Sequence, residues 1–149
     1  MRSIKFRVWH HTLNKFITAD EWYLDLNGRL CFLDIKGITD DYLIEVEENL
    51  YTAQQYTGIK DKNGVEIYEG DIVAFTEWGV PESWVHNYLN DGLKIVKWSL
   101  NAGGDYPFAG FTFIKYNAGD LDIGVLVDCM NIQYCKVIGN IFENKDLLK

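Results

Sequence analysis

The sequence predicts a mainly β protein, in which an antiparallel, small barrel-like sheet is joined to an N-terminal β-meander and one or two short helices. Short segments rich in β-branched and aromatic residues follow one another, turn signals separate them at intervals of about 8–12 residues, and the strand–helix alternation of a parallel sheet is absent. The 149 residues fit one domain. Within it, we expect residues 1–50 to form an N-terminal β lobe and residues 51–149 the barrel-like part.

The first third of the chain has the pattern of a β-meander. Residues 4–9 alternate between two sets of side chains with a period of two, as in a strand with one face in a core. Residues 16–18 and 22–24 are further strand pieces. Asn27-Gly28 is a strong hairpin signal, because both central residues of a type I′ turn need positive φ. Residues 30–35 then return as the partner strand.

Residues 39–50 are acidic and have no single clear period. Thr39 or Asp40 could cap a short helix, and residues 43–46 could equally form a strand. We expect an irregular acidic connection here.

The central stretch, residues 56–73, carries three turn signals: Gly58, the Asn63-Gly64 pair, and the Glu-Gly-Asp sequence at residues 69–71. Asn63-Gly64 predicts a second hairpin, with residues 66–68 returning along it. The Gly-Asp pair predicts a sharp corner into a strand over residues 72–75. Gly58, Gly64 and Gly70 are expected where φ is positive or where another backbone passes close.

The second half of the chain predicts one helix and several strands. Residues 81–91 are the helix candidate, because Pro81 suits a first helical position, an apolar face repeats at i, i+4 spacing, and Gly92 can end it. Asn140 to Asn144 precedes a short helical tail. The remaining expected elements are strands over residues 93–98, 111–116, 123–128 and 133–139, and a flexible loop over residues 101–105.

Charge and cysteine usage restrict the class of partner and the compartment. The formal net charge is −8, from 22 acidic and 14 basic residues, which disfavours binding to nucleic acid because that binding needs a basic face. Cys31, Cys129 and Cys135 are odd in number and contain no CxxC pair, so we expect reduced, buried thiols. The first residues lack an apolar targeting segment, and no stretch is long enough to span a membrane. We therefore expect a soluble, cytoplasmic protein with no membrane partner.

No motif assigns a catalytic, cofactor-binding or metal-binding residue, and no cofactor is expected. Counted from Asp61 as the first position of a calcium loop, glycine falls at position 4 and Val65 occupies a ligand position, so the hairpin interpretation is preferred. The imidazoles are His10, His11 and His86. The adjacent pair projects to opposite sides of an extended chain, and the cysteines lack zinc-site spacing.

Acidic and aromatic clusters have structural explanations. The acidic groups are Asp40-Asp41, Glu45, Glu47, Glu48, Asp120 and Asp122. We interpret them as solvated surface, although paired carboxylates could serve acid–base chemistry. The aromatics Trp78, Trp84, Trp98, Phe111 and Phe113 fit core or interface packing, although they could stack on single-stranded nucleic acid.

Three segments together resemble the YopX family of phage and prophage proteins. The central stretch resembles the family signature. Residues 4–9, Ile-Lys-Phe-Arg-Val-Trp, resemble its opening strand. Residues 137–144, Val-Ile-Gly-Asn-Ile-Phe-Glu-Asn, resemble its closing Gly-Asn-Ile-Tyr-Glu-Asn, with Phe142 in place of tyrosine. Residues 78–104 match no family pattern. The resemblance implies a single, mostly β YopX-like domain with a barrel-like part, a bacterial host cell and a multimeric assembly, but no catalytic residues.

Three functional hypotheses remain open. The first is a phage or prophage accessory protein that binds protein partners or copies of itself as a homo-oligomer, in line with the acidic charge and the aromatic excess. The second is a nucleic-acid-binding barrel. The third is an enzyme built from dispersed histidines, cysteines and carboxylates. The second hypothesis would use Trp98, Phe111, Phe113, Lys94, Lys97 and Lys115.

Overall fold

The chain forms two compact units in a computed structural model. The N-terminal unit is Lys5–Gln54, and the C-terminal unit comprises Met1–Ile4 and Gln55–Lys149. The structure describes residues 4–17, 22–24, 30–32, 44–45, 50–75, 92–99, 110–115, 125–126 and 134–149. Within these residues the chain is mainly antiparallel strand, and the helical structure is one short 3-10 helix, Lys145–Leu148. The predicted fold class is confirmed.

The N-terminal unit holds two groups of antiparallel strands. β1 and β2 form a hairpin in which Trp9 lies opposite Phe16. β4 lies between β3 and β5 in a three-stranded sheet. The strands are β1 (Phe6–His10), β2 (Lys15–Ile17), β3 (Trp22–Leu24), β4 (Leu30–Phe32) and β5 (Ile44–Glu45).

The irregular connection expected over residues 39–50 is wrong at Ile44–Glu45, which is strand β5. Cys31 lies opposite Glu45 and Phe32 opposite Ile44 in an antiparallel ladder. The alternative of a strand over residues 43–46 holds here, and the local sequence did not favour it because the pairing with β4 is long-range.

Aromatic packing and one arginine hold β1 in its unit. Trp9 is 2% exposed and meets the Phe16 ring edge-on, with 5.0 Å between the centroids. The Arg7 guanidinium lies 4.5 Å from the centre of the same Phe16 ring. Its Nε also donates to Gln54 Oε1 at 2.9 Å. This arginine therefore has a structural role, with a cation–π contact and a hydrogen bond to a buried amide.

The C-terminal unit is built around a five-stranded antiparallel sheet that curls into a half-barrel, with strand order β11-β10-β9-β8-β12. β6 pairs with β7 as a hairpin. The further strands are β6 (Tyr51–Lys60), β7 (Glu66–Tyr68), β8 (Asp71–Phe75), β9 (Lys94–Ser99), β10 (Gly110–Lys115), β11 (Val125–Leu126) and β12 (Cys135–Asn140).

The core of the C-terminal unit lies on one face of the half-barrel. Val73, Val96 and Phe113 are each 0% exposed, and cross-strand register aligns Val96 with Phe113. The other face is also buried at its centre, where Ile72 lies opposite Ile95. The core cluster consists of Ile67, Val73, Val96, Phe111, Phe113 and Cys135, with Phe75 and Val137 packed against it.

The three predicted glycines take positive φ. Gly58 has φ +92°, Gly64 +83° and Gly70 +77°, which confirms the expectation. Among the described residues the only non-glycine with positive φ is Asn14. The φ of Asn63 is therefore negative. The second hairpin therefore uses a type I turn followed by a left-handed Gly64, a common three-residue hairpin loop.

Several predictions fall outside the described residues: the Asn27-Gly28 turn, the helix at residues 81–91, the loop at residues 101–105, and Trp78, Trp84, His86, Cys129 and most of the acidic clusters. Strands were predicted at or within a few residues of β1, β2, β3, β4 and β7–β12. Among the helices that the structure describes, none has the length and apolar character needed to cross a membrane.

Candidate functional site

Four polar residues from the central and closing segments form what we call the signature cluster: Asp61, Asp71, Asn140 and Asn144. Asp61 follows β6, Asp71 begins β8 and Asn140 ends β12. Asp61 is 6% exposed, Asp71 1% and Asn140 2%. Buried carboxylates and amides need hydrogen-bond partners, so their contacts show what these side chains do.

The Asp61 carboxylate holds both the hairpin turn and the neighbouring sheet. Its Oδ1 accepts the backbone N–H groups of Asn63 at 2.8 Å and Val65 at 2.9 Å. Its Oδ2 accepts the Val137 N–H of β12 at 3.0 Å. Beside it, Lys62 N donates to Cys135 O at 3.2 Å. One carboxylate thus shapes the turn and attaches it to β12.

The Asp71 carboxylate links the start of β8 to the end of β12. Its Oδ2 accepts the Tyr68 N–H at 2.8 Å, and its Oδ1 accepts Asn140 Nδ2 at 3.2 Å. The other end of the Asn140 amide, Oδ1, accepts the Phe142 N–H at 3.0 Å. Ile141 N also donates to Gly70 O at 3.0 Å. The Gly-Asp corner and the closing segment are therefore joined through both side chain and backbone.

The spacing between Gly139 and Asn144 has a steric reason. Asn144 Oδ1 accepts the Asn140 N–H at 3.0 Å, and Asn144 N donates to Asn140 O at 2.9 Å. A Cβ on residue 139 would lie 2.6 Å from Asn144 Oδ1, closer than atoms approach. Glycine at 139 leaves the space that the Asn144 side chain occupies.

Thr57 supports the irregular step inside β6. The pairing register between β6 and β7 shifts between Tyr56 and Lys60, around the left-handed Gly58. Thr57 Oγ1 donates to Ile67 O at 2.9 Å and accepts the Ile59 N–H at 3.3 Å. This buried hydroxyl therefore replaces ladder hydrogen bonds that the bulge removes.

The Cys135 thiol lies in the core next to these carboxylates. Burial raises the pKa of Cys135 to about 12, and the charges of Asp61 and Asp71 act in the same direction, while Lys62 opposes them. Because the thiolate is the reactive form of cysteine, this thiol stays protonated at neutral pH. Cys31 is also buried, and both thiols are free, which agrees with the expectation for these two cysteines.

The chemistry open to the signature cluster is limited by these bonds. Each carboxylate oxygen of Asp61 and Asp71 accepts at least one hydrogen bond from the protein. Within the residues that the structure describes, no group of three or more His, Cys, Asp or Glu side chains could hold a metal ion. The hairpin interpretation of the Asp61 segment, preferred over a calcium loop, is confirmed by the β6–β7 pairing. The hydrogen bonds of the signature cluster therefore stabilise the fold of the C-terminal unit.

The two adjacent histidines of the N-terminal unit make different contacts. The His10 ring packs on Tyr51 with 4.4 Å between centroids, and its buried Nδ1 has no hydrogen-bond partner among the residues that the structure describes. His11 Nε2 lies 2.8 Å from Thr52 Oγ1. His11 N donates to Leu50 O at 2.9 Å. These contacts join the end of β1 to the start of β6.

The residues proposed for nucleic-acid binding do not form a common surface. Lys94 is 0% exposed and its Nζ donates to Gly92 O at 3.2 Å. Lys97 lies opposite Thr112, and Lys115 lies opposite Lys94. Because side chains alternate across a sheet, the two exposed lysines, Lys97 and Lys115, project from opposite faces. Phe113 is fully buried.

Trp98 is the exposed aromatic residue of the described sheet. It lies opposite Phe111, and the two rings meet edge-to-face with 5.0 Å between centroids. Trp98 is 47% exposed, whereas Phe111 is 6% exposed. Trp98 N donates to Glu69 Oε1 at 3.4 Å. We call Glu69, Trp98 and Phe111 the Trp98 surface.

Sequence reasoning assigned no role to Asp61 as an anchor or to the Asn140–Asn144 pair. An aspartate at the start of a turn often accepts hydrogen bonds from the backbone N–H groups that follow it. Asp61, two residues before Asn63, has this pattern in the sequence. The bond from Asp61 to Val137 spans 76 positions, so no local pattern could reveal it.

Comparison with known proteins gives a family and two structural neighbours. The family model described as YopX protein matches residues 5–149. The crystal structure of protein EF1440 from Enterococcus faecalis is 27% identical over 100% of both chains, with a TM-score of 0.57. Protein yopX from Bacillus subtilis is 17% identical over 100% of this chain and 98% of the other, with a TM-score of 0.47. No curated protein matches the chain.

The family match runs from β1 to the C-terminal residue and contains the signature cluster. It includes residues 56–73 and 137–144 and, except for Ile4, the opening segment at residues 4–9. The chain belongs to the YopX family.

Proposed function

We propose that this chain is an accessory protein of a phage or prophage that works by binding protein, and that it associates with copies of itself through the Trp98 surface. The observation that carries the proposal is the 47% exposure of Trp98, a large aromatic held edge-on against the core residue Phe111. Tryptophan is enriched at interfaces and in their energetic centres. A rigid ring of this kind loses little conformational freedom on binding.

Charge favours a protein partner over nucleic acid. The net charge is −8, and the exposed Lys97 and Lys115 stand on opposite faces of the β9–β10 pair. Affinity for phosphates depends on several cations gathered on one surface. Beside Trp98, the neighbouring charged group is the Glu69 carboxylate, and Lys97 projects from the opposite face of the sheet.

Binding is favoured over catalysis by the state of the reactive side chains in the C-terminal unit. The carboxylates of Asp61 and Asp71 are occupied by structural hydrogen bonds, and the raised pKa of Cys135, about 12, keeps its thiol protonated. A nucleophile or general base needs the opposite arrangement, with an accessible group and a pKa close to the working pH.

We also propose that the protein acts in the cytoplasm of a bacterial host cell. The free thiols of Cys31 and Cys135 support a reducing compartment. The phage or prophage origin is supported by the resemblance of the three segments. Expression of a tagged chain followed by cell fractionation would test the location, and recovery in the periplasm would contradict it.

Sedimentation velocity with light scattering tests the self-association. The native chain is expected to show a mass that rises with concentration into the tens of micromolar. Trp98→Ala should weaken the association at least about tenfold, a change of about 1.4 kcal/mol. Val65→Ala is the matched control, because Val65 is also a large apolar side chain with 47% exposure in the same unit. It should leave the association unchanged.

The salt dependence separates the competing functions. Self-association of an acidic chain should strengthen from low to moderate salt, because screening reduces like-charge repulsion. Binding to single-stranded DNA would weaken over the same range. A strict monomer at all concentrations, or equal effects of Trp98→Ala and Val65→Ala, would contradict self-association through this surface. A salt-sensitive DNA shift would favour the nucleic-acid function.

Thiol reactivity tests the non-catalytic assignment of Cys135. Iodoacetamide at pH 8 should modify Cys135 only after denaturation, because a thiol with a raised pKa is protonated and buried at that pH. Peptide mass spectrometry distinguishes Cys135 from the other cysteines. Rapid modification in the native protein would show a reactive thiolate and would reopen an enzymatic function.

A further inference from the structure

Asn63 and Gly64 lie in the turn between β6 and β7 and form the residue pair in which an asparagine is chemically most labile. The backbone nitrogen of the glycine attacks the asparagine Cγ, the new N–C bond closes a cyclic imide, and the side-chain nitrogen leaves as ammonia. Water then opens the imide to aspartate or isoaspartate. Glycine favours this reaction because it has no side chain to obstruct the attack and a flexible backbone.

The surroundings of the pair leave room for this reaction. Asn63 and Gly64 are both exposed, and the Asn63 carboxamide makes no hydrogen bond to a residue that the structure describes. No atom lies within 4 Å of the position that a Cβ on Gly64 would take. Neither burial nor crowding therefore prevents the imide from forming.

The hydrogen bonds of the turn instead hold the attacking nitrogen in an unreactive geometry. Gly64 N donates its proton to Asp61 O at 2.9 Å, whereas attack requires that nitrogen to lose the proton and to face the Asn63 side chain. On either side of Gly64, the N–H groups of Asn63 and Val65 are held by Asp61 Oδ1 at 2.8 and 2.9 Å. Rotation of the peptide group between Asn63 and Gly64 would break these bonds.

We propose that Asn63 is a site of spontaneous deamidation and that the hydrogen bonds of Asp61 protect it in the folded protein. The reactive form is the unfolded or newly synthesised chain, in which these bonds are absent. The isoaspartate product adds a main-chain carbon between the N–H groups of Asn63 and Val65, both of which one Asp61 oxygen holds, so the same turn cannot close on it. This proposal is independent of the Trp98 surface.

Peptide mass spectrometry of the aged protein tests the protection. The native chain and a peptide with the sequence of residues 60–66 and blocked ends are kept in the same buffer at pH 8, and conversion of Asn63 is followed with time. Proteolytic mapping separates Asn63 from Asn27, which also precedes a glycine. Conversion should be at least about tenfold slower in the protein than in the peptide. Equal rates, or a peptide that stays intact, would overturn the proposal.

Substitution of Asp61 tests the cause of the protection. Asp61→Ala removes the acceptor of the Asn63 and Val65 N–H groups, whereas Lys62→Ala leaves that acceptor in place and is the matched control. Asp61→Ala should raise the deamidation rate of Asn63 at least about tenfold over Lys62→Ala. Asn140→Ala weakens the fold without removing the Asp61 carboxylate and should leave this rate unchanged.

A second variant covers the case in which Asp61→Ala does not fold. Asp61→Ser then takes its place, because a serine hydroxyl forms the same kind of turn more weakly, and it should also deamidate faster than Lys62→Ala. Equal rates in the Asp61 variant and Lys62→Ala would overturn the role of Asp61. An equal acceleration by Asn140→Ala would also overturn it, by showing that global unfolding controls the reaction.

Discussion

In the signature cluster, Asp61, Asp71 and Asn140 are at most 6% exposed and each forms hydrogen bonds to other parts of the C-terminal unit. At the Trp98 surface of the same unit, the indole is 47% exposed and its backbone N–H is held by one 3.4 Å bond to Glu69. The first region uses polar groups to join segments of the chain, whereas the second leaves an aromatic ring half exposed.

The signature cluster identifies the family, whereas the Trp98 surface is the part of the unit that we propose for binding. The signature is recognisable because a corner, a bulge and a closing turn each require particular residues, such as Gly139 beside Asn144. None of these requirements involves a ligand. The buried polar residues of a strongly recognisable motif can therefore have architectural roles.

The largest effect is expected from Asn140→Asp, which keeps the shape of the side chain but places a second carboxylate against Asp71, now 3.2 Å from the Asn140 amide. Two like charges in a buried site should cost about 3 kcal/mol of unfolding free energy at neutral pH. Urea denaturation measures the loss.

The stability cost of Asn140→Asp should depend on pH. Repulsion raises the pKa of the carboxyl pair in the folded state above the unfolded value, so the penalty is present at neutral pH and is relieved as pH falls through the folded pKa. Asn140→Ala, which adds no charge, should lack this recovery. A loss from Asn140→Asp that is the same at pH 5 and pH 8 would show that the cluster is open to water.

Gly139→Ala should cost about 2 kcal/mol, the usual range for overpacking, because its Cβ would lie 2.6 Å from Asn144 Oδ1. Gly139 is absent from the glycines with positive φ, so the added atom accounts for the penalty. In an Asn144→Gly background the same substitution should cost less than about 1 kcal/mol. An unchanged cost in that background would mean that Asn144 is not the neighbour that excludes a side chain.

Gly64→Ala should cost about 1 kcal/mol, for a different reason. Its φ is +83° and no atom lies within 4 Å of the added Cβ, so the cost comes from backbone strain alone. Gly64→Asn should cost less than Gly64→Ala, because asparagine tolerates the left-handed region. Thermal unfolding of the two variants measures the order, and the reverse order would contradict the strain explanation.

The smallest effect is expected at Trp98. Trp98→Phe should change the unfolding free energy by no more than about 0.5 kcal/mol, because substitutions at the surface usually have effects of this size and the smaller ring can still meet Phe111 edge-on. Chemical denaturation measures it. A loss above about 1 kcal/mol would place Trp98 in the core and remove the contrast between the two regions.

Much of the fold could be predicted from local patterns. Alternating residues and turn signals predicted most strands of both units, and the three glycines of the central stretch were correctly expected to take positive φ. At β5 the sequence offered a strand over residues 43–46 as an alternative but favoured an irregular connection, because the pairing of Ile44–Glu45 with β4 is not visible in the local sequence.

The sequence predicted only in part which aromatic and lysine side chains of the sheet are exposed. Trp98, Phe111, Phe113 and Lys94 were grouped because they lie close in sequence on predicted strands, yet Lys94 and Phe113 are fully buried and Trp98 is half-exposed. Exposure depends on where each residue falls along the curled sheet, and that position is set by partners on other strands.

The sequence by itself determined where the backbone turns, because positive φ at Gly58, Gly64 and Gly70 is a local steric property. Only the tertiary structure decided which side chains those turns bring together. Asp61 reaches Val137 across 76 positions and Asn140 reaches Asp71 across 69. Such contacts depend on the closure of the sheet, so the same local sequence could not specify them without the strands that lie between.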